Sequence, residues 1–135
     1  MPGTNAATCR PAVMDALKIL AVDDELSITE SIRFIFDRPR YEVTGVQDGD
    51  DALVRLEANS GSYDVVITDQ KMPHVTGVEL VRELRKRRFA GKIMVLSAHL
   101  SHEVRNAYEQ LDVHVMLEKP FNIHDLRQAV NSLAA

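Results

Sequence analysis

The run LKILAV at residues 17–22 leads straight into Asp23-Asp24, and this stretch decides the fold. An almost continuous apolar run of this length reads as a strand covered on both faces. Three later runs repeat the arrangement. VVIT at 65–68 runs into Asp69, IMVL at 93–96 runs into Ser97, and VHVML at 113–117 is followed by Glu118, Lys119 and Pro120. As parallel strands of one sheet, these runs bring all four polar endings to the carboxyl edge, where open α/β sheets bind ligands. The assembled set is three carboxylates, one hydroxyl and one ammonium. That set suits a divalent cation and a phosphoryl group.

Working outward, helical patterns fill the intervals. Ile28, Ile32 and Ile35 recur at helical spacing until Arg38-Pro39 breaks the pattern, and Tyr41–Val46 is a further strand. Asp48 is placed to cap a helix carrying Leu53 and Leu56, with Gly61 beyond its end. Thr76 and Glu79 form a capping box ahead of Leu80, Val81 and Leu84. Ser101 caps a short helix with Val104, Ala107 and Tyr108. Asn122 caps a last one with Leu126, Ala129, Val130 and Leu133 on one face. Five strands alternating with five helices predict a parallel, doubly wound sheet with right-handed crossovers and helices on both faces.

The chain of 135 residues is one domain's worth. Residues 1–15 are small, polar and proline-broken, and are expected to form a flexible leader before a domain over 16–135. Hydrophobic residues at 45% and charged residues at 27% are ordinary for a soluble globular protein. A net charge of −4 argues against direct nucleic-acid binding. No apolar run approaches bilayer length, so no membrane partner is expected. Cys9 has no partner within the chain, which excludes an intramolecular disulfide. A cytoplasmic domain is the default expectation.

Each polar ending also has an ordinary reading. Asp23 and Asp24 could be helix N-terminal acids favoured by the macrodipole. Asp69 could be a turn aspartate, Ser97 a local backbone cap, and Lys119 a surface cation. Four such endings in one sheet outweigh these readings. Adjacent carboxylates need a cation when buried. An aspartate can attack phosphorus and hold an acyl phosphate, and a lysine can balance charge on the phosphoryl oxygens.

VDDE at 22–25, the D-x-x-M-P-x-x-x-G run from Asp69 to Gly77, Ser97-Ala98 and Lys119-Pro120-Phe121 occur in order at suitable intervals. With these motifs the chain resembles the receiver domain of two-component response regulators over about residues 17–133. The resemblance implies a flavodoxin-like fold with strand order 2-1-3-4-5. It implies Asp69 as phosphoacceptor, with Mg2+ (or Mn2+) held by Asp24, by Asp23 through water, by Asp69 and by the backbone carbonyl of Lys71. It implies that Ser97 and Lys119 bind the phosphoryl oxygens, and that Lys119-Pro120 is a cis peptide. The phosphate would come from a histidine kinase or a histidine phosphotransfer protein. The implied output face is the fourth helix, fifth strand and fifth helix, with a second receiver copy or a target protein as its partner. Such a module modifies itself and slowly dephosphorylates itself, but its purpose is switching rather than turnover.

Three features depart from the family pattern. Met116 stands where the family often has a switching aromatic, Leu111-Asp112 replaces a small Gly-Ala pair, and Glu118 puts an acid beside Lys119. Lys71 and His99 stand two residues after Asp69 and Ser97, where side chains often tune the lifetime of the phosphate. Arg82, Arg85, Lys86, Arg87 and Arg88 form a basic cluster, read as a solvated helix end or a docking patch for an acidic partner.

Met116 and the altered approach to the fifth strand keep a second reading open, a non-phosphorylated pseudo-receiver acting as a protein-interaction module. A phosphohydrolase is disfavoured because Lys71 stands where those enzymes have a second aspartate. A flavin protein is disfavoured because DDELS lacks a phosphate-binding loop.

Overall fold

A computed structural model describes residues 16–58 and 62–134. The expected leader and Gly61 lie outside these residues. The elements are β1 (Leu17–Val22), α1 (Leu26–Ile35), β2 (Tyr41–Val46), α2 (Gly49–Ala58), β3 (Val65–Thr68), α3 (Gly77–Lys86), β4 (Lys92–Ser97), α4 (His102–Gln110), β5 (Val115–Glu118) and α5 (Ile123–Ala134). The strands form one parallel sheet in the order β2-β1-β3-β4-β5. This is the doubly wound architecture read from the sequence.

Side-chain alternation along the strands divides the core into two layers. Leu20, Val22, Val66, Ile93 and Val95 meet α2, α3 and α4 through Leu56, Leu80, Val81, Leu84 and Tyr108. Ile19, Ala21, Val65, Ile67, Met94 and Leu96 meet α1 and α5 through Ile32, Ile35, Leu126, Val130 and Leu133. All four residues of β3 are buried, as its central position requires.

The helix starts follow the capping chemistry. The Asp51 N–H donates to the Asp48 carboxylate at 2.8 Å, and the Val104 N–H to the Ser101 hydroxyl at 3.2 Å. The His124 N–H donates to the Asn122 amide oxygen at 2.7 Å. At α3 the Thr76 and Glu79 side chains each accept the other's backbone N–H, at 3.2 and 2.8 Å.

The fifth strand starts later than the apolar run suggests, at Val115 rather than Val113. Asp112 adopts a left-handed φ of 57°, a conformation that aspartate tolerates better than most residues. The Val113 N–H then turns back to the Tyr108 carbonyl at 3.1 Å. Arg85 fixes this turn from α3, donating to the Leu111 carbonyl at 2.8 Å and the Asp112 carbonyl at 2.7 Å. One member of the basic cluster thus serves the fold. Arg87 pairs with Glu83 at 3.0 Å, and Lys86 reaches the same carboxylate at 4.0 Å. Among the described residues no helix is long and apolar enough to cross a membrane.

Candidate functional site

The strand register assembles the site. Val22 pairs with Thr68, so Asp23 and Asp69, each one residue further on, stand side by side. Backbone bonds hold both past the strand ends: the Asp23 N–H donates to the Val46 carbonyl at 3.1 Å, and the Asp69 N–H to the Val22 carbonyl at 3.0 Å. Ser97 pairs with Glu118, and the Lys119 N–H donates to the Ser97 carbonyl at 3.0 Å, which brings Lys119 to the same edge.

Asp23, Asp69 and Ser97 are buried at 3%, 5% and 0% exposure, whereas Asp24 is open to solvent. Oxygens of Asp23, Asp24 and Asp69 all lie within 4.8 Å of one another, an arrangement that could hold a metal ion. The donors are all hard carboxylate oxygens, and the exposed side of Asp24 leaves access for water. Both properties fit magnesium, which keeps several waters and takes few protein ligands.

The Lys119 ammonium lies 2.7 Å from Asp23 and 3.4 Å from Asp69. Burial opposes charge on this lysine. The hydrogen bond and charge of Asp23, followed by the charge of Asp69, outweigh it and raise the pKa above the ordinary lysine value. Asp23 is also raised above the usual carboxylate range. Burial is the main cause and the charge of Asp69 adds to it, overcoming the Lys119 hydrogen bond and the Glu25 N–H. The two shifts differ in cause: burial dominates at Asp23, and the neighbouring carboxylates together outweigh it at Lys119.

The Ser97 hydroxyl oxygen accepts the His99 N–H at 3.0 Å and the Gln70 N–H at 3.4 Å, which leaves its own hydrogen to donate outward. Lys71 and His99 are exposed and line one open cleft with Gln70 and Ser101. The Lys119-Pro120 peptide is cis, as is Arg38-Pro39. Glu118 turns away from Lys119 and pairs with Arg105 on α4 at 3.2 Å. Met116 packs half-buried against the core layer that contains Tyr108.

Two contacts beside the site were not evident in the sequence. Glu25 is a further carboxylate on Lys119, at 3.4 Å. Its place in VDDE was visible, but not that Lys119 would cross to it. The second contact lies behind the site and leads away from it: the Gln70 amide oxygen accepts the Tyr108 hydroxyl and, at 3.0 Å, the Val78 N–H. Tyr108 read only as an apolar position on a helix face. Its hydroxyl is held well above the usual phenol range, mainly by burial and then by the charge of Asp69.

Over residues 19–131 the chain matches the response regulator receiver domain, and it belongs to that family. The transcriptional regulatory protein CiaR of Streptococcus pneumoniae is 30% identical over 117 residues, covering 87% of this chain and 51% of CiaR. ResD of Bacillus subtilis is 32% identical, covering 86% of this chain and 47% of ResD. The chain thus spans about half the length of these curated relatives. Among solved structures, the Vibrio cholerae chemotaxis protein CheY4 superposes with a TM-score of 0.80 at 30% identity, over 88% of this chain and 99% of that one. The receiver domain of Francisella response regulator 1452 gives 0.76 at 33% identity, over 87% and 95%.

Proposed function

We propose that this domain accepts a phosphoryl group on Asp69 from a phosphohistidine, carried by a histidine kinase or a histidine phosphotransfer protein, and thereby switches the state it presents to a partner or output domain. The observation that carries this reading is the position of Lys119 between Asp23 and Asp69, beside an acidic cluster able to hold a metal.

In the transfer, an Asp69 carboxylate oxygen forms the new O–P bond as the P–N bond to the donor imidazole breaks. The electron pair of that bond leaves with the imidazole nitrogen. Lys119 sits where negative charge gathers on the phosphoryl oxygens, and its protonated state is secured by the carboxylates around it. The Ser97 hydroxyl offers a hydrogen to one of those oxygens. Burial of Asp23 and Asp69 lowers the local dielectric and strengthens these interactions.

The metal in this reading is Mg2+ (or Mn2+), which Asp24, Asp69 and the Lys71 carbonyl would hold, with Asp23 acting through water. When bound it supplies positive charge that offsets the acid cluster and the transferring group. Lys71 and His99, at the mouth of the site, set how readily water reaches the acyl phosphate. The output face is α4, β5 and α5, open to a second copy or a target protein. This reading takes the domain to act in the cytoplasm. The transcriptional role named for CiaR and ResD would here require a further domain or a partner, because a chain of net charge −4 is poorly suited to bind DNA itself.

Incubation with a small acyl phosphate tests the reading. Labelling that needs magnesium, stops with a chelator and is released by hydroxylamine supports an acyl phosphate. Labelling that resists hydroxylamine contradicts it.

A further inference from the structure

Tyr108 is fully buried, yet its polar end does not sit in an apolar core. A buried tyrosine hydroxyl needs a partner. Here the partner is the side chain of Gln70, the residue that follows Asp69. Gln70 is bonded through its backbone N–H, its backbone carbonyl and its side-chain oxygen. Its N–H donates to the Asp69 carboxylate at 2.7 Å and to the Ser97 hydroxyl at 3.4 Å. Its carbonyl accepts the Gly77 N–H at 2.9 Å. Its amide oxygen takes the Val78 N–H together with the Tyr108 hydroxyl.

Gly77 completes the arrangement. A Cβ at this position would collide with both the Tyr108 hydroxyl and the Asp69 carbonyl oxygen. The tip of Tyr108 therefore lies close to the Asp69 backbone carbonyl. At its other end, the Tyr108 carbonyl accepts the Leu111 and Val113 N–H groups, each at 3.1 Å. The same residue thus reaches the acceptor loop and fixes the turn from α4 into β5. On the neighbouring route through β5, Met116 has no hydroxyl to make such a link.

We propose that Tyr108 is the positioning residue that couples the state of Asp69 to α4 and the start of β5, acting through Gln70. The inference rests on Asp69 being the phosphoacceptor. The Gln70 N–H is shared between Asp69 and Ser97, and both would change partners when a phosphoryl group arrives. Rotation of that peptide carries the Gln70 side chain with it. A buried hydroxyl left without its acceptor is unfavourable, so Tyr108 must follow or repack. A packed element with two arrangements transmits such a change as a switch rather than as a graded drift.

The test is the amide NMR spectrum of the whole chain, with and without magnesium and beryllofluoride, a stable mimic of an acyl phosphate. Wild type is compared with Tyr108→Phe, Gln70→Met and the double variant. Both substitutions keep the Gln70 N–H, and neither removes a group that holds phosphate or metal. In wild type, amides around Asp69 and Ser97 and those of α4 should all shift. In each variant the site amides should still shift, while the α4 shifts fall several-fold, within the range of typical coupling between sites. The double variant should be no worse than either single one, because both remove the same link.

Undiminished α4 shifts in the variants overturn the proposal. So does loss of the site response in both, which would make Tyr108 a support of the site. If Tyr108→Phe does not fold, Gln70→Met decides by the same criteria. No response at Asp69 in wild type overturns the phosphoacceptor reading itself, and the coupling with it.

Discussion

The Lys119 ammonium stands 2.7 Å from an Asp23 oxygen whose residue is nearly solvent-free. It is also within reach of Asp69 and Glu25, each at 3.4 Å. The charge of this lysine offsets the joint burial of Asp23 and Asp69.

Replacing Lys119 with methionine keeps the bulk of the stem and removes the charge. The two buried carboxylates then face each other unpaired, and stability should fall by about 1–3 kcal/mol, less than for a fully buried pair because the cleft is open at Asp24. Saturating magnesium should recover part of that loss, since a ligand that binds only the folded state stabilises it. Urea unfolding with and without magnesium checks this. A loss that magnesium leaves untouched would mean that the cation and Lys119 do not share these carboxylates.

Gly77→Ala places a methyl group against the Asp69 carbonyl and the Tyr108 hydroxyl. The carbonyl is backbone and has little freedom to withdraw. Destabilisation of about 3 kcal/mol is expected, the upper end for overpacking. Pairing it with Tyr108→Phe should not rescue it, because the clash with the carbonyl stays. Thermal unfolding of the single and double variants decides the point, and full rescue would contradict the geometry.

The site and the fold were legible in the sequence to different depths. β1, β3 and β4 could be read because they are covered on both faces, so LKILAV, VVIT and IMVL are nearly uniform apolar runs. The helix starts could be read because Asp48, Thr76, Ser101 and Asn122 act on N–H groups two or three residues away. Asp23, Asp69, Ser97 and Lys119 could be placed at one edge because strand ends in a parallel sheet are forced together. What stayed hidden depends on approach between distant segments. Nothing local says that the Tyr108 hydroxyl meets Gln70, or that Arg85 closes the turn at Asp112. The late start of β5 has the same origin, because the N–H of Val113 turns back into α4.

His114 carries a pH-dependent share of stability. Although the residue as a whole is exposed, partial desolvation of its ring, and then the charges of Lys92 and Arg85, lower its pKa below the ordinary imidazole value of 6.5. The folded state therefore holds this proton less tightly than the unfolded chain. The contribution is complete above about pH 6.5 and is lost as pH falls through the lower folded value. The Nδ1 atom accepts the Ile93 N–H at 3.1 Å, and protonation there removes the acceptor. The unfolding midpoint of wild type should drop between neutral and mildly acidic pH more than that of His114→Gln. Identical pH dependence in the two proteins would contradict this.

Lys71 and His99 are exposed and line one cleft with Gln70, the residue that follows Asp69. Substituting both with alanine should change the decay rate of the acyl phosphate several-fold while leaving its formation intact. Decay is followed by loss of label after the donor is removed. An unchanged rate would reduce the two residues to exposed loop side chains.

In the proposed function Asp69 takes the phosphoryl group. Intact-protein mass after incubation with magnesium and a small acyl phosphate tests it, with wild type beside Asp69→Asn. The predicted result is the mass of one phosphoryl group added to wild type and none to Asp69→Asn. An equal adduct on both proteins, or no adduct on wild type from either an acyl phosphate or a phosphorylated histidine donor, would contradict it and favour an interaction module that carries no phosphate.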